Sequence, residues 1–210
     1  MSSMKAAAIG VSVHSGWGAV VTIAGKRGAE EVLDRRRLVI IDPKIAGAAQ
    51  PYHYVQAREI HVAEAHLNRC AAESRRLAGE ALTRVTSELG DRGFMVVASA
   101  LLLSSARPLP DLEKILASHP LIHTAEGEFF RQAFHSAFEH LKIPLTRIPA
   151  RDLDDYALKA FGKAAPEIQK RIDRMGRALG APWTKDEKTA ALAAAIVLAR
   201  AQLKRHASGA

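Results

Sequence analysis

The stretch AAAIGVSVHSGWGAVVTIA, residues 6 to 24, constrains the fold more than any other part of the chain. Two runs of small and apolar residues, 6–13 and 19–24, have the length and composition of buried strands. Only His14-Ser15-Gly16-Trp17-Gly18 separates them. A parallel crossover needs a dozen or more residues, so the two strands must pair antiparallel as a hairpin. Gly16 and Gly18 permit the sharp reversal. A second turn, GKRGAE, leads into a third strand at 31–41, EVLDRRRLVII, which extends the pair into an antiparallel meander.

Beyond the meander the pattern changes. Residues 42–55 contain two prolines and a glycine with no period and read as a loop leading into a helix. From about 56 to 88, Ile60, Ala63, Leu67, Cys70 or Ala71, Ser74, Ala78, Leu82, Val85 and then Leu89 recur at three- and four-residue steps, which predicts a long amphipathic helix ending at GDRG, 90–93. FMVVASALLL, 94–103, is a continuous apolar run suited to a central strand covered on both faces. A short helix at 110–117, a longer one at 124–141, a strand at 143–149 and two short helices within 151–180 follow. Residues 182–206 close the chain as a long helix, with the last four residues fraying. The later strands alternate with helices, so they should lie parallel to the first strand in one mixed sheet. The expected organisation is a single domain, 1–210, with a helical insertion at about 151–180.

This order of elements, with IGVSVHSGWG at the first hairpin and DEKTAALAAAIVLA in the last helix, resembles the ribonuclease H-like fold. Within that superfamily it looks like the Holliday-junction resolvase branch and the related actin-like ATPases. The resemblance spans about residues 5 to 200 and implies an α/β architecture: a mixed five-stranded sheet with helices on both faces. For a nuclease of this kind it also implies clustered carboxylates holding two Mg²⁺ ions. One of these is an aspartate on the first strand, where this chain has Ser12. The end of the fourth strand, LLLSSARP, offers Ser104 and Ser105 instead of a carboxylate. In the last helix Glu187 falls nearest the family's first helix carboxylate, and Ala190 replaces the second. Thr184 to Glu187 also spells a capping box, and Asp186 suits the first turn of a helix. The actin-like reading needs phosphate loops in both halves, and only one half-loop is visible. The reading carried forward is a ribonuclease H-like protein associated with nucleic acid and lacking the standard two-metal nuclease site. The alternatives are an enzyme acting through a His/Ser/Glu cluster on a small or phosphorylated substrate, and a non-catalytic interaction protein.

Charge supports a polyanionic partner. The net charge is +8 and the pI about 9.9, with short basic clusters at Arg35-Arg36-Arg37, Arg75-Arg76 and Lys204-Arg205. No run of eighteen apolar residues predicts a membrane span, and no signal peptide is read at the start. The single cysteine, Cys70, excludes an intramolecular disulfide framework and fits a reducing cytoplasm. The long helix at 56–88 could pack against a second copy, so a homo-oligomer is a candidate assembly.

The densest functional stretch is SHPLIHTAEGEFFRQAFHSAFEH, 118–140. On one continuous helix His119, His123 and Glu126 would share a face and could hold Zn²⁺ or another divalent metal. Pro120 argues instead for a helix starting at His123 or Thr124, with Glu126 and Glu128 in its first turn. Open sheets place ligands at the C-terminal ends of their parallel strands. The turn after the first strand and the loop after the fourth share that edge. His14, Ser15, His123 and Glu126 are therefore the catalytic candidates, for acid–base or nucleophilic work. Ser12, Trp17, Ser104, Ser105, His119, Trp183 and Lys185 are the ligand-binding candidates, with an anion at the turn amides as one option. Metal candidates are His119, His123, Glu126 and Glu187.

Overall fold

A computed structural model describes residues 4–104 and 108–207; Ser105, expected at the site, lies outside the described residues. Strands β1 (Lys5–His14), β2 (Trp17–Ala24) and β3 (Glu31–Val39) form the expected meander. β4 (Phe94–Leu103) and β5 (Leu145–Pro149) complete a five-stranded sheet in the order β3-β2-β1-β4-β5. β1 pairs antiparallel with β2 and parallel with β4, and β4 pairs parallel with β5. The helices are α1 (Pro51–Val55), α2 (Ile60–Asp91), α3 (Leu112–Leu116), α4 (His119–His140), α5 (Leu153–Phe161), α6 (Ala165–Leu179) and α7 (Lys185–Ala207).

Strand alternation divides the core between two faces. Ile9 and Val11 of β1 and Leu101 of β4 meet α2 and α4, where Phe130, Phe134 and Phe138 are fully buried. The phenylalanine repeat is thus core, as its spacing indicates. Ala8 of β1, Val21 and Ile23 of β2, and Ala98, Ala100 and Leu102 of β4 meet α7 on the other face. α7 is buried all round from Ala190 to Ala199, because α5 and α6 cover its outer side through Leu153, Phe161, Ile168 and Ile172. A helix buried on every side needs no polar stripe, which accounts for the unbroken run AALAAAIVLA.

Two expectations change. α4 starts at His119 rather than at His123 or Thr124. Ser118 holds the N-cap with extended backbone, and Pro120 sits in the first turn, where its missing N–H costs no hydrogen bond. α2 does not project from the fold. It buries Ala63, Leu67, Cys70, Ser74, Ala78, Leu82, Val85 and Leu89 along its length. Among the described residues no helix is long and apolar enough to cross a membrane.

The tightest contact lies between β1 and α7. A Cβ built on Gly10 would stand 1.9 Å from the carbonyl oxygen of Ala190 and 3.0 Å from the amide nitrogen of Ala194. Those atoms are helix backbone and cannot turn away. Gly10→Ala should therefore destabilise the protein by about 1–3 kcal/mol or more, as overpacking of a filled core does. Gly79 lies within α2 with open space at its Cβ position, so Gly79→Ala should stabilise by about 0.5–1 kcal/mol. Urea titration of the two variants checks the opposite signs.

Candidate functional site

The hairpin β1–β2 closes through a two-residue loop, Ser15-Gly16, with His14 paired to Trp17. Gly16 takes φ 79, which is why a glycine stands there. Directly opposed residues are close enough for their rings to meet. The His14 and Trp17 rings stack at 4.4 Å and 9°. The Arg37 guanidinium of β3 lies 3.9 Å from the centroid of the Trp17 ring. Trp17 is thus held between a histidine and an arginine, not left open as a platform. Ser15 is exposed at the tip of the turn.

Ser12 and His14 alternate on β1 and so face the same side as Gly10, toward the start of α7. Both reach one carboxylate oxygen of Asp186. Ser12 Oγ donates to Oδ1 at 3.0 Å, and His14 Nε2 lies 2.8 Å from the same atom. This is a different arrangement from a nucleophilic triad. The Ser12 proton points at the carboxylate rather than at the imidazole, so no base is placed to activate the hydroxyl through His14.

Glu187, the helix acid matched from sequence, is turned elsewhere. Its Oε2 accepts the Thr184 amide at 2.8 Å and also bonds the Thr184 hydroxyl, while Thr184 Oγ1 accepts the Asp186 amide at 3.3 Å. Glu187 is therefore the capping residue, and the adjacent acid, Asp186, is the one that faces the sheet. Trp183 is likewise withdrawn: its Nε1 donates to Ile172 O at 2.9 Å, and its ring packs over Gly176 of α6. It fastens onto α6 rather than onto the edge of the sheet.

At the C-terminal ends of β1 and β4 a cleft of about 380 Å³ opens beside Asp186. Ser12, Ser104, Arg131, Arg151, Lys185, Asp186 and Thr189 line it, together with the apolar ends of the strands. Arg131 comes from α4 and is only 8% exposed, and its Nε donates to Leu102 O at 3.1 Å. Burial pushes the Arg131 pKa down from its ordinary value, with Glu128 opposing and Arg147 adding to the effect. The group remains cationic, as arginine does in proteins. Lys185 and Ser104 are exposed at the cleft.

His119, His123 and Glu126 gather elsewhere, around His53 of α1. The single constellation expected from sequence resolves into two, each with its own partners. Continuity of α4 is the reason: His123 precedes Arg131 by eight residues, roughly 12 Å along the helix axis. His119 and His123 Nε2 atoms lie 3.0 Å apart. Glu126 is buried, with Oε2 2.9 Å from His53 Nδ1 and Oε1 accepting the His53 amide at 3.2 Å. Burial, with the Glu126 charge adding to it, also raises the pKa of the neighbouring Tyr52 hydroxyl.

Sequence reasoning overlooked three contributors: Asp186 as a group facing the sheet, Arg131 and His53. Asp186 had a signal. It lies four residues before Ala190, one turn along the helix face that must lie on Gly10. Glu187→Gln offers a direct check, because glutamine also completes a capping box. The variant should hold wild-type stability, whereas Glu187→Ala should lose about 0.3–1.5 kcal/mol in thermal or urea unfolding.

No family model matches the sequence, and no curated protein matches it. Solved structures do. Thermus thermophilus RuvC superposes with a TM-score of 0.50 at 13% identity, covering 93% of this chain and 96% of that one. T. thermophilus RuvC in complex with a Holliday junction substrate gives 0.52 at 12% identity, over 94% and 95%. The yeast mitochondrial Holliday junction resolvase Ydc2 gives 0.51 at 9% identity, over 95% and 80%. At such identities the likeness is one of fold, and the chain has the ribonuclease H-like fold that these resolvases share.

Proposed function

We propose that the protein binds nucleic acid, taking backbone phosphate in the cleft at the ends of β1 and β4, and does so without the two-metal hydrolysis of resolvase-like nucleases. The lining of the cleft carries this reading. Arg131, Arg151 and Lys185 bring three cations to it, and Asp186 is the one carboxylate among its lining residues. A pair of Mg²⁺ ions needs several anionic oxygen ligands, and three neighbouring cations oppose them. Here the strand position that would supply one holds Ser12, whose hydroxyl is itself a donor to Asp186. The donor set does not fit two Mg²⁺. It fits an anion taken directly, with Arg131 as a buried, desolvated donor and with Lys185 and Arg151, the latter beside Asp152, as exposed charges at the rim.

Likeness to a resolvase solved on its junction substrate supports nucleic acid as the polyanion, as does the +8 net charge. A Ser/His hydrolase reading finds less support, because Ser12 and His14 compete for one carboxylate oxygen instead of forming a relay.

Fluorescence-anisotropy titrations on linear duplex and four-way junction DNA over a salt series test the proposal. Log affinity should fall linearly with log salt, and Lys185→Ala and Arg151→Ala should each lower the slope by about one. Binding that ignores both salt and these substitutions would sink it. Incubation of junction DNA with Mg²⁺ should leave the strands intact. Cleavage that disappears in Asp186→Asn would overturn the non-hydrolytic half.

A further inference from the structure

We propose that His53, His119 and His123 form a binding site for a divalent transition metal of the imidazole-preferring kind, Zn²⁺ foremost, with Glu126 orienting His53 from behind. The site is separate from the phosphate cleft and does not depend on it.

Three features of the geometry carry the inference. One ligand atom from each histidine lies within 4.8 Å of the other two. Metal–nitrogen bonds of about 2.0–2.1 Å in a tetrahedron hold their nitrogens roughly 3.3–3.4 Å apart. The 3.0 Å between the Nε2 atoms of His119 and His123 is already near that spacing. The three rings are also steeply inclined to one another, with centroids 4.5, 4.8 and 5.2 Å apart and interplanar angles of 62–81°, so none stacks on another.

The second feature is the carboxylate. Metal-bound histidine commonly gives its other ring nitrogen to a carboxylate, which fixes the tautomer and strengthens the ligand. Glu126 is 3% exposed, and its Oε2 stands 2.9 Å from His53 Nδ1, leaving Nε2 of that ring as the nitrogen for a metal. Its Oε1 accepts the His53 backbone amide, so one buried group anchors the main chain of α1 and lies against the ring. A buried carboxylate needs such partners. This assigns Glu126 a positioning role, where sequence spacing made it a ligand.

The third feature is access. His119 and His123 are exposed on the first turns of α4, while His53 is half-buried. Three protein nitrogens on one side leave a fourth position toward solvent for water or an exogenous ligand, the pattern of open zinc sites. Imidazole donors without thiolates or clustered carboxylates suit Zn²⁺, Co²⁺ or Ni²⁺ over Mg²⁺ or Ca²⁺.

Metal titration of the tag-free full-length chain tests this. One equivalent of Zn²⁺ should bind, raise the melting temperature and displace Co²⁺, whose visible ligand-field bands should report four-coordinate geometry. His119→Asn and His123→Asn replace exposed residues, so both should fold, yet lose the bands and the thermal shift. Glu126→Gln should keep one-to-one binding with an affinity about 10–100-fold lower. Substoichiometric Zn²⁺ uptake by the wild type, or uptake unchanged in His119→Asn and His123→Asn, would overturn the proposal. Because Mg²⁺-dependent cleavage and salt-dependent DNA binding read the other site, failure here leaves the phosphate-cleft reading standing, and the reverse holds too.

Discussion

The contact between β1 and α7 governs the rest of the molecule. At Gly10 the strand has no side chain, and the backbone of α7 at Ala190 and Ala194 occupies the space. That approach sets the relation of two elements that are distant in sequence. Two residues further along β1 is Ser12, and one turn back along α7 is Asp186, so their hydrogen bond follows from the same contact. His14, two residues beyond Ser12, then reaches the same carboxylate oxygen. A helix lying this close to the sheet can carry only small side chains underneath, which the alanines of AALAAA supply. Its outer side is closed by α5 and α6. Trp183 bonded to Ile172 fastens that cover, and Arg35 donates to the carbonyls of Leu179, Gly180, Ala181 and Pro182.

Several of the basic residues that cluster in the sequence are engaged within the fold. Arg35-Arg36-Arg37 reads in sequence as one basic cluster, but alternation turns Arg36 to the face opposite Arg35 and Arg37, and each takes a different partner. Arg35 binds the carbonyls after α6, Arg36 pairs with Asp34 and Glu88, and Arg37 covers Trp17. Arg76 is likewise engaged by Glu73 and Glu80 on its own helix. Arg35, Arg36, Arg37 and Arg76 are thus engaged within the fold, whereas Arg131, Arg151 and Lys185 line the cleft.

The strands were legible because their signals are local. The hairpin link is too short for any other connection, and FMVVASALLL is too apolar for an edge. The phenylalanine stripe and the capping box of α7 were legible for the same reason, since each depends on residues three or four apart. The start of α4 is not legible in the sequence, because proline breaks a helix interior yet is accommodated within the first turn, where Pro120 sits. The position of Trp183 just before α7 points to the edge of the sheet, yet its indole is claimed by a carbonyl on α6. His53 stands in a proline-flanked segment without periodicity, and nothing in its neighbours indicates that it meets α4.

By itself the sequence determined the ribonuclease H-like order of strands and helices and the division of apolar residues between core and surface, and it put Ser12 near the end of strand one. These are consequences of chain connectivity, side-chain period and residue identity, none of which requires knowing what lies opposite. Only the tertiary structure decided that Asp186 rather than Glu187 faces the sheet, that Arg131 enters the cleft, and that His53 joins His119 and His123 against Glu126. Each of those outcomes depends on the rotation and depth at which one element packs on another. One residue along a helix turns a side chain through about 100°, so packing at Gly10 and along α4 selects which polar groups meet.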